Sequence, residues 1–142
     1  HTRLAYAMGT MSVATRMFDA IVNRQTQFLE SQRHYDLASL RRDKRIVRFA
    51  ALLHCVGHSP FSHSGEGLFP YDQDAGRQYQ HEDYSSGIIK TEIREVIENH
   101  GTNNNYVISA DGVADLIAGV PTTGNSASAR RMICLVSWTP SL

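Results

Sequence analysis

Apolar residues recur at helical intervals along most of this chain. Leu4, Met8, Met11, Val13, Met17, Phe18, Ile21 and Val22 follow mixed i, i+3, i+4 spacing. They predict an amphipathic helix over about residues 3–23, with Ala5, Ala7, Gly9 and Ala14 allowing close packing. A polar, Gln-rich stretch from Asn23 to Ser39 reads as a second, exposed helix. From Asp43 the helical pattern returns with Ile46, Val47, Phe49, Ala50, Leu52, Leu53 and Val56. This face is apolar nearly all round and predicts a buried central helix over about 43–57, ended near Gly57 and broken by Ser59-Pro60. A loop bearing Gly, Pro and Asp spans Gly65 to Gly76. Helices are expected again at about His81–Lys90, Thr91–Asn99 and Asp111–Ala118, with a turn at His100-Gly101 and Asn103 to Asn105. Gly119 to Ser128 reads as a linker and Ala129–Val136 as a last short helix. No segment sustains a period of two, so the expected fold is all-α.

Composition adds boundaries rather than detail. A length of 142 residues allows one compact domain with a real core. Fourteen basic and fourteen acidic residues balance, which gives no basic arm for nucleic acid and no polybasic membrane patch. No apolar run reaches the length of a membrane span, and no signal peptide is visible. The first residue is His1, and the chain stops at Trp138 to Leu142 without a polar tail. The chain therefore reads as a fragment, 1–142, cut at its C-terminal side and open to extension upstream. Cys55 and Cys134 are far apart in apolar surroundings, which argues against a disulfide framework and for a cytoplasmic, reducing setting.

The chemistry concentrates in one region. Four of the seven histidines, His54, His58, His63 and His81, fall within 28 positions. On a continuing helix His54 and His58 would share one face. Burying imidazoles is unfavourable unless each finds a partner. His63 follows a proline turn with Glu66 three residues on, and His81-Glu82 repeats the pairing of imidazole and carboxylate at a helix start. Such pairs tune a general acid or base. A single histidine is more often structural than catalytic, and His34 and His100 take that reading, as solvated or capping residues. The cluster points instead to a polar site between helices, with a metal as one option.

The segment from Leu52 to His63 resembles the HD superfamily of metal-dependent phosphohydrolases. In the deoxynucleoside triphosphate triphosphohydrolase branch the motif reads approximately L-x-H-D-x-G-H-x-P-F-S-H. Arg3 to Gly9 resembles that branch's earlier R-[LF]-x-H-x-x-G motif, and His81 to Ser85 its later H-E-x-x-S motif. The resemblance implies an HD-type helical bundle and hydrolysis of deoxynucleoside triphosphates or a related nucleotide phosphate ester. It implies acid/base roles for His58, Glu66 and His81, and substrate contacts for Arg3 and His63. It implies a divalent metal (Mg, Mn, Fe, Co or Ni) on His54, where Cys55 stands at the family's Asp position and Tyr6 at its first His. The family's final D-x-D-R-x-D-Y-like segment has no counterpart here. Asp111 and Asp115 lie in what resembles the ordinary helix preceding it. The expectation is therefore an impaired metal site that is empty or weakly occupied, with an inactive nucleotide-binding or regulatory HD module as the alternative. The expected partner is a nucleotide or other phosphate ester, with self-association admitted and neither membrane nor nucleic acid implied.

Overall fold

The computed structural model describes residues 2–25, 31 and 36–119. The expected linker beyond Gly119, the last helix with Cys134, His34, and most of the expected exposed helix after Asn23 lie outside the described residues. Helix α1 runs Arg3–Arg24, α2 Leu37–Leu53, α3 His81–Lys90, α4 Arg94–Glu98 and α5 Ala110–Ala118. Short 3-10 turns span Ser62–Leu68 and Gly101–Asn105. The expected all-α architecture is observed. One small addition escaped the pattern, an antiparallel hairpin of β1 (Tyr71–Asp72) and β2 (Arg77–Gln78), in which Tyr71 pairs with Gln78 and Asp72 with Arg77. Two residues per strand are too few for an alternation to register.

Helix α2 packs against α1 on one side and α5 on the other, and α3 packs on α5. The core joins Ile46 and Ala50 of α2 to Ile89 of α3, Ile97 of α4, Ile108, and Ala110, Val113 and Ala114 of α5. Phe18 is the buried residue of α1, and Lys44 of α2 reaches Asp19 of α1 at 2.7 Å. Asn103 ties the approach to α5, since its amide accepts from the Ile108 N–H at 2.8 Å and donates to the carbonyls of Ile97 and Ile108. No helix among the described residues is long and apolar enough to cross a membrane.

Helix α2 begins earlier than the apolar pattern suggested because Asp36 caps it. The Asp36 carboxylate accepts from the Ser39 N–H at 2.7 Å, satisfying one of the otherwise unpaired first-turn donors. The same hydrogen bonds hold the Asp36 carboxyl below its ordinary pKa. A carboxyl lowered in the folded state adds stability above its unfolded pKa, and that stability disappears as pH falls through the folded value. Asp36→Ala is expected to lower the melting temperature at pH 7, and the gap to the parent chain should close as pH drops below about 3.8. Thermal denaturation of both proteins between about pH 2.5 and 7 checks this. A gap that stays constant with pH would show that the cap acts without its charge.

Candidate functional site

The central helix expected over about 43–57 ends earlier than that in the structure, so His54 and His58 do not share a helical face. Helix α2 ends at Leu53, and residues 54–57 form turns. The physical cause is Ser85, which is fully buried on α3. Its hydroxyl donates to the His54 carbonyl at 2.7 Å and accepts from the Gly57 N–H at 2.9 Å. The His54 carbonyl is thereby satisfied from outside, and the His58 N–H turns back to the Cys55 carbonyl instead. Gly57 is required by this contact: a Cβ there would lie 2.3 Å from the Ser85 nitrogen and 2.5 Å from the His81 carbonyl. The turn thus rests directly on the backbone of α3 and brings His58 over His81.

The following loop aims two more groups at the same place. Ser62 sits at φ +54°, and Gly65 packs so closely on Ser59 that a Cβ would meet its hydroxyl at 2.2 Å. This tight turn presents His63 and Glu66. The small hairpin then braces the 3-10 segment against α3. Gln78 donates to the carbonyls of Gly67 and Phe69, while Arg77 grips Asp83 with two bonds of 2.7 and 2.8 Å. Asp83 also accepts from the Gln80 N–H at the start of α3, which fixes where His81 emerges.

His58, His63, Glu66 and His81 therefore converge. Glu66 Oε1 accepts from His81 Nδ1 at 2.6 Å and from His63 Nδ1 at 3.0 Å. His58 Nε2 and His63 Nε2 are 3.5 Å apart, and the His58 and His81 rings touch at a tilt of 39° with centroids 3.7 Å apart. Glu82 Oε2 lies 3.1 Å from His81 Nδ1 as a second carboxylate. Partial burial pushes the Glu66 pKa up, but hydrogen bonds from His81 and His63 outweigh it and hold the group below the ordinary carboxylate value. Burial first, then His81 and His63, hold His58 below the ordinary histidine value. At neutral pH the site therefore pairs an ionised carboxylate with a neutral His58.

Tyr6, His54 and Cys55 stand apart from this group. They line the same cavity, of about 660 Å³, together with Arg3 and Glu82. Tyr6 does face His54, with ring centroids 6.3 Å apart. The pair His54–Cys55 is closed on itself. His54 Nδ1 donates to the Ala51 carbonyl at 2.8 Å, and Nε2 lies 3.0 Å from Cys55 Sγ. Burial raises the Cys55 pKa, Glu82 raises it further and Arg3 offsets this in part, so the thiol stays protonated and donates to His54. A phenol and a protonated thiol beside one occupied imidazole do not fit the hard divalent ion implied by the resemblance. Arg3 donates to the carbonyls of His58 at 3.3 Å and Ser59 at 2.8 Å, pinning the turn to the first turn of α1. Asp111 and Asp115 are ion-paired to Arg94 and Lys90. His100 caps the second 3-10 turn, accepting from the Thr102 N–H. Ser85, Gly57 and Arg77 escaped the sequence reading as positioning residues. Gly57 left a trace as a helix-ending glycine, and Ser85 as the residue four after His81 and so on its helical face.

No protein-family model matches the chain. It is 34% identical over 99 residues to the uncharacterized protein YwfO of Bacillus subtilis (strain 168), covering 68% of this chain and 18% of that protein. It is 28% identical over 120 residues to the deoxynucleoside triphosphate triphosphohydrolase SAMHD1 homolog of Dictyostelium discoideum, covering 84% of this chain and 20% of that one. The chain thus spans about a fifth of the length of these relatives. The similarity to the second relative agrees, at the level of superfamily, with the resemblance of the sequence motifs to HD-type proteins.

Proposed function

We propose that this chain is an HD-type phosphohydrolase domain whose substrate is a deoxynucleoside triphosphate or a related nucleotide phosphate ester, and that it turns over slowly. The observation that carries the reading is His81, held from behind by Glu66 and touching His58, in the wall of a cavity that Arg3 also lines. A volume of about 660 Å³ suits a nucleotide-sized ligand. In this reading Glu66 fixes His81 through its Nδ1–H and leaves Nε2 as the atom that exchanges a proton with the leaving oxygen. His63, held by Glu66 and exposed, contacts phosphate oxygen. Arg3 supplies positive charge at the cavity wall. The residues at the expected metal position supply no Lewis acid, so the developing charge is poorly stabilised and cleavage is slow.

The closed His54–Cys55 pair favours a second reading, a nucleotide-binding module without turnover. Equilibrium dialysis with a labelled deoxynucleoside triphosphate, run beside an assay of phosphate release, separates the two. Saturable binding is expected, weakened about tenfold (about 1.4 kcal/mol) by His63→Ala. Slow phosphate release that falls further in Glu66→Gln supports hydrolysis. Binding with no release above buffer leaves the module reading, and the absence of binding removes both.

A further inference from the structure

We propose that His58, His63, His81 and Glu66 form a site for a borderline divalent ion of the zinc class, separate from the His54–Cys55 position. The four residues each offer one ligand atom, and these atoms all lie within 4.8 Å of one another. Zinc–nitrogen bonds of about 2.0–2.1 Å put neighbouring tetrahedral ligands about 3.3 Å apart and no two ligands more than about 4.2 Å apart. The 3.5 Å between the Nε2 atoms of His58 and His63 already matches a ligand edge. In a tetrahedral site the widest pair has to close by about 1.5 Å. His63 is free to do so, since its side chain is 70% exposed.

The donor set selects the ion. Three imidazoles and one carboxylate suit zinc, nickel, copper or iron and not magnesium or calcium, which take oxygen ligands. Glu66 already receives Nδ1–H from His63, which leaves the Nε2 lone pair of that ring as the ligand atom; carboxylates orient metal-bound histidines in this way. The residues come from three segments, the turn after α2, the 3-10 turn and the start of α3, and the first rests on α3 through Gly57 and Ser85, so the site is largely assembled before an ion arrives. The site stands whether or not the chain hydrolyses phosphate esters. An ion there would occupy the same imidazoles that the proposed hydrolysis needs for proton transfer, so zinc and turnover exclude each other.

The test uses the full chain, stripped of metal and titrated with Zn²⁺ against a chromogenic chelator, then with Co²⁺ read by its visible d–d absorption. One ion per chain is expected, with the intense bands of low-coordinate cobalt. His63→Ala and Glu66→Gln should each weaken binding at least about tenfold, and Cys55→Ser should leave it unchanged. Far-ultraviolet circular dichroism of the His63→Ala chain, altered only at an exposed side chain, verifies that the fold is intact. Absent stoichiometric binding, binding that survives both His63→Ala and His58→Ala, or binding lost in Cys55→Ser would each overturn the proposal. Zinc binding without nucleotide binding, or the reverse, shows which of the two readings has failed.

Discussion

Gly57→Ala is expected to remove much of the domain's stability, although it adds one methyl group. The new Cβ would lie 2.3 Å from the Ser85 nitrogen, 2.5 Å from the His81 carbonyl oxygen and 2.8 Å from the Tyr84 carbonyl carbon. All three are backbone atoms of α3, so no side chain can rotate away. Overpacking typically costs about 1–3 kcal/mol, and a clash confined to backbone sits at or above the upper end. Against a total stability of about 5–15 kcal/mol this is a large fraction. The turn must lift from α3, which breaks both Ser85 hydrogen bonds and separates His58 from His81. Urea denaturation of the variant should show a strongly lowered midpoint. Gly9→Ala serves as the control, because nothing lies within 4 Å of its Cβ position in the middle of α1. It should gain about 0.5–1 kcal/mol from helix propensity. Equal midpoints for Gly57→Ala and the parent chain would mean that the close approach of turn and helix is not a feature of the protein in solution.

The second large effect concerns Tyr6 and Cys55. The double substitution Tyr6→His, Cys55→Asp is expected to recover part of the binding of Mn²⁺, Fe²⁺ or Ni²⁺ beside His54 and to raise phosphate release from deoxynucleoside triphosphates. Disturbing one outer partner of a metal site costs about 10–100-fold in affinity or activity. Restoring two ligand positions should therefore gain at least about a hundredfold over the unmodified chain. The carboxylate that Cys55→Asp introduces would face Glu82, whose charge already pushes the Cys55 thiol up. The revertant should thus be less stable than the parent without metal and regain melting temperature when Mn²⁺ is added. Elemental analysis, phosphate release and melting curves on both proteins measure this. Stoichiometric Mn, Fe or Ni in the unmodified chain, with turnover abolished by a chelator and retained in His63→Ala, would show that Tyr6 and Cys55 are tolerated or bypassed.

Much of the helical layout was legible because it rests on periodicity. Helix α3 begins at His81 and ends at Lys90 as the pattern indicated, and α1 and α5 differ from expectation by a residue. The end of α2 was not legible. Leu52, Leu53 and Val56 continue the apolar pattern past the point where the helix stops, and the cause is a serine 31 positions away. The grouping of His58, His63, Glu66 and His81 was readable from spacing and resemblance together. Its bracing was not, since the Arg77–Asp83 fork belongs to a hairpin too short to leave a period. The internal closure of His54 on Cys55 is likewise a matter of hydrogen-bond geometry, which no residue pattern records.

The way the site is stitched has a kinetic consequence. The histidine and carboxylate contacts close within residues 54–85, and the chain between Glu66 and His81 is short. Closing so short a loop carries a small entropic cost. Arg3 reaches the same turn across 55 residues of chain. Contacts of low sequence separation form early and far ones late. The imidazole cluster should therefore assemble before α1 docks, and α1 should be the first element to come away again. In hydrogen exchange, amides at the N-terminal end of α1 should open while those of Gly57 and α3 stay protected. The cavity then has one wall that can part from a floor that remains rigid.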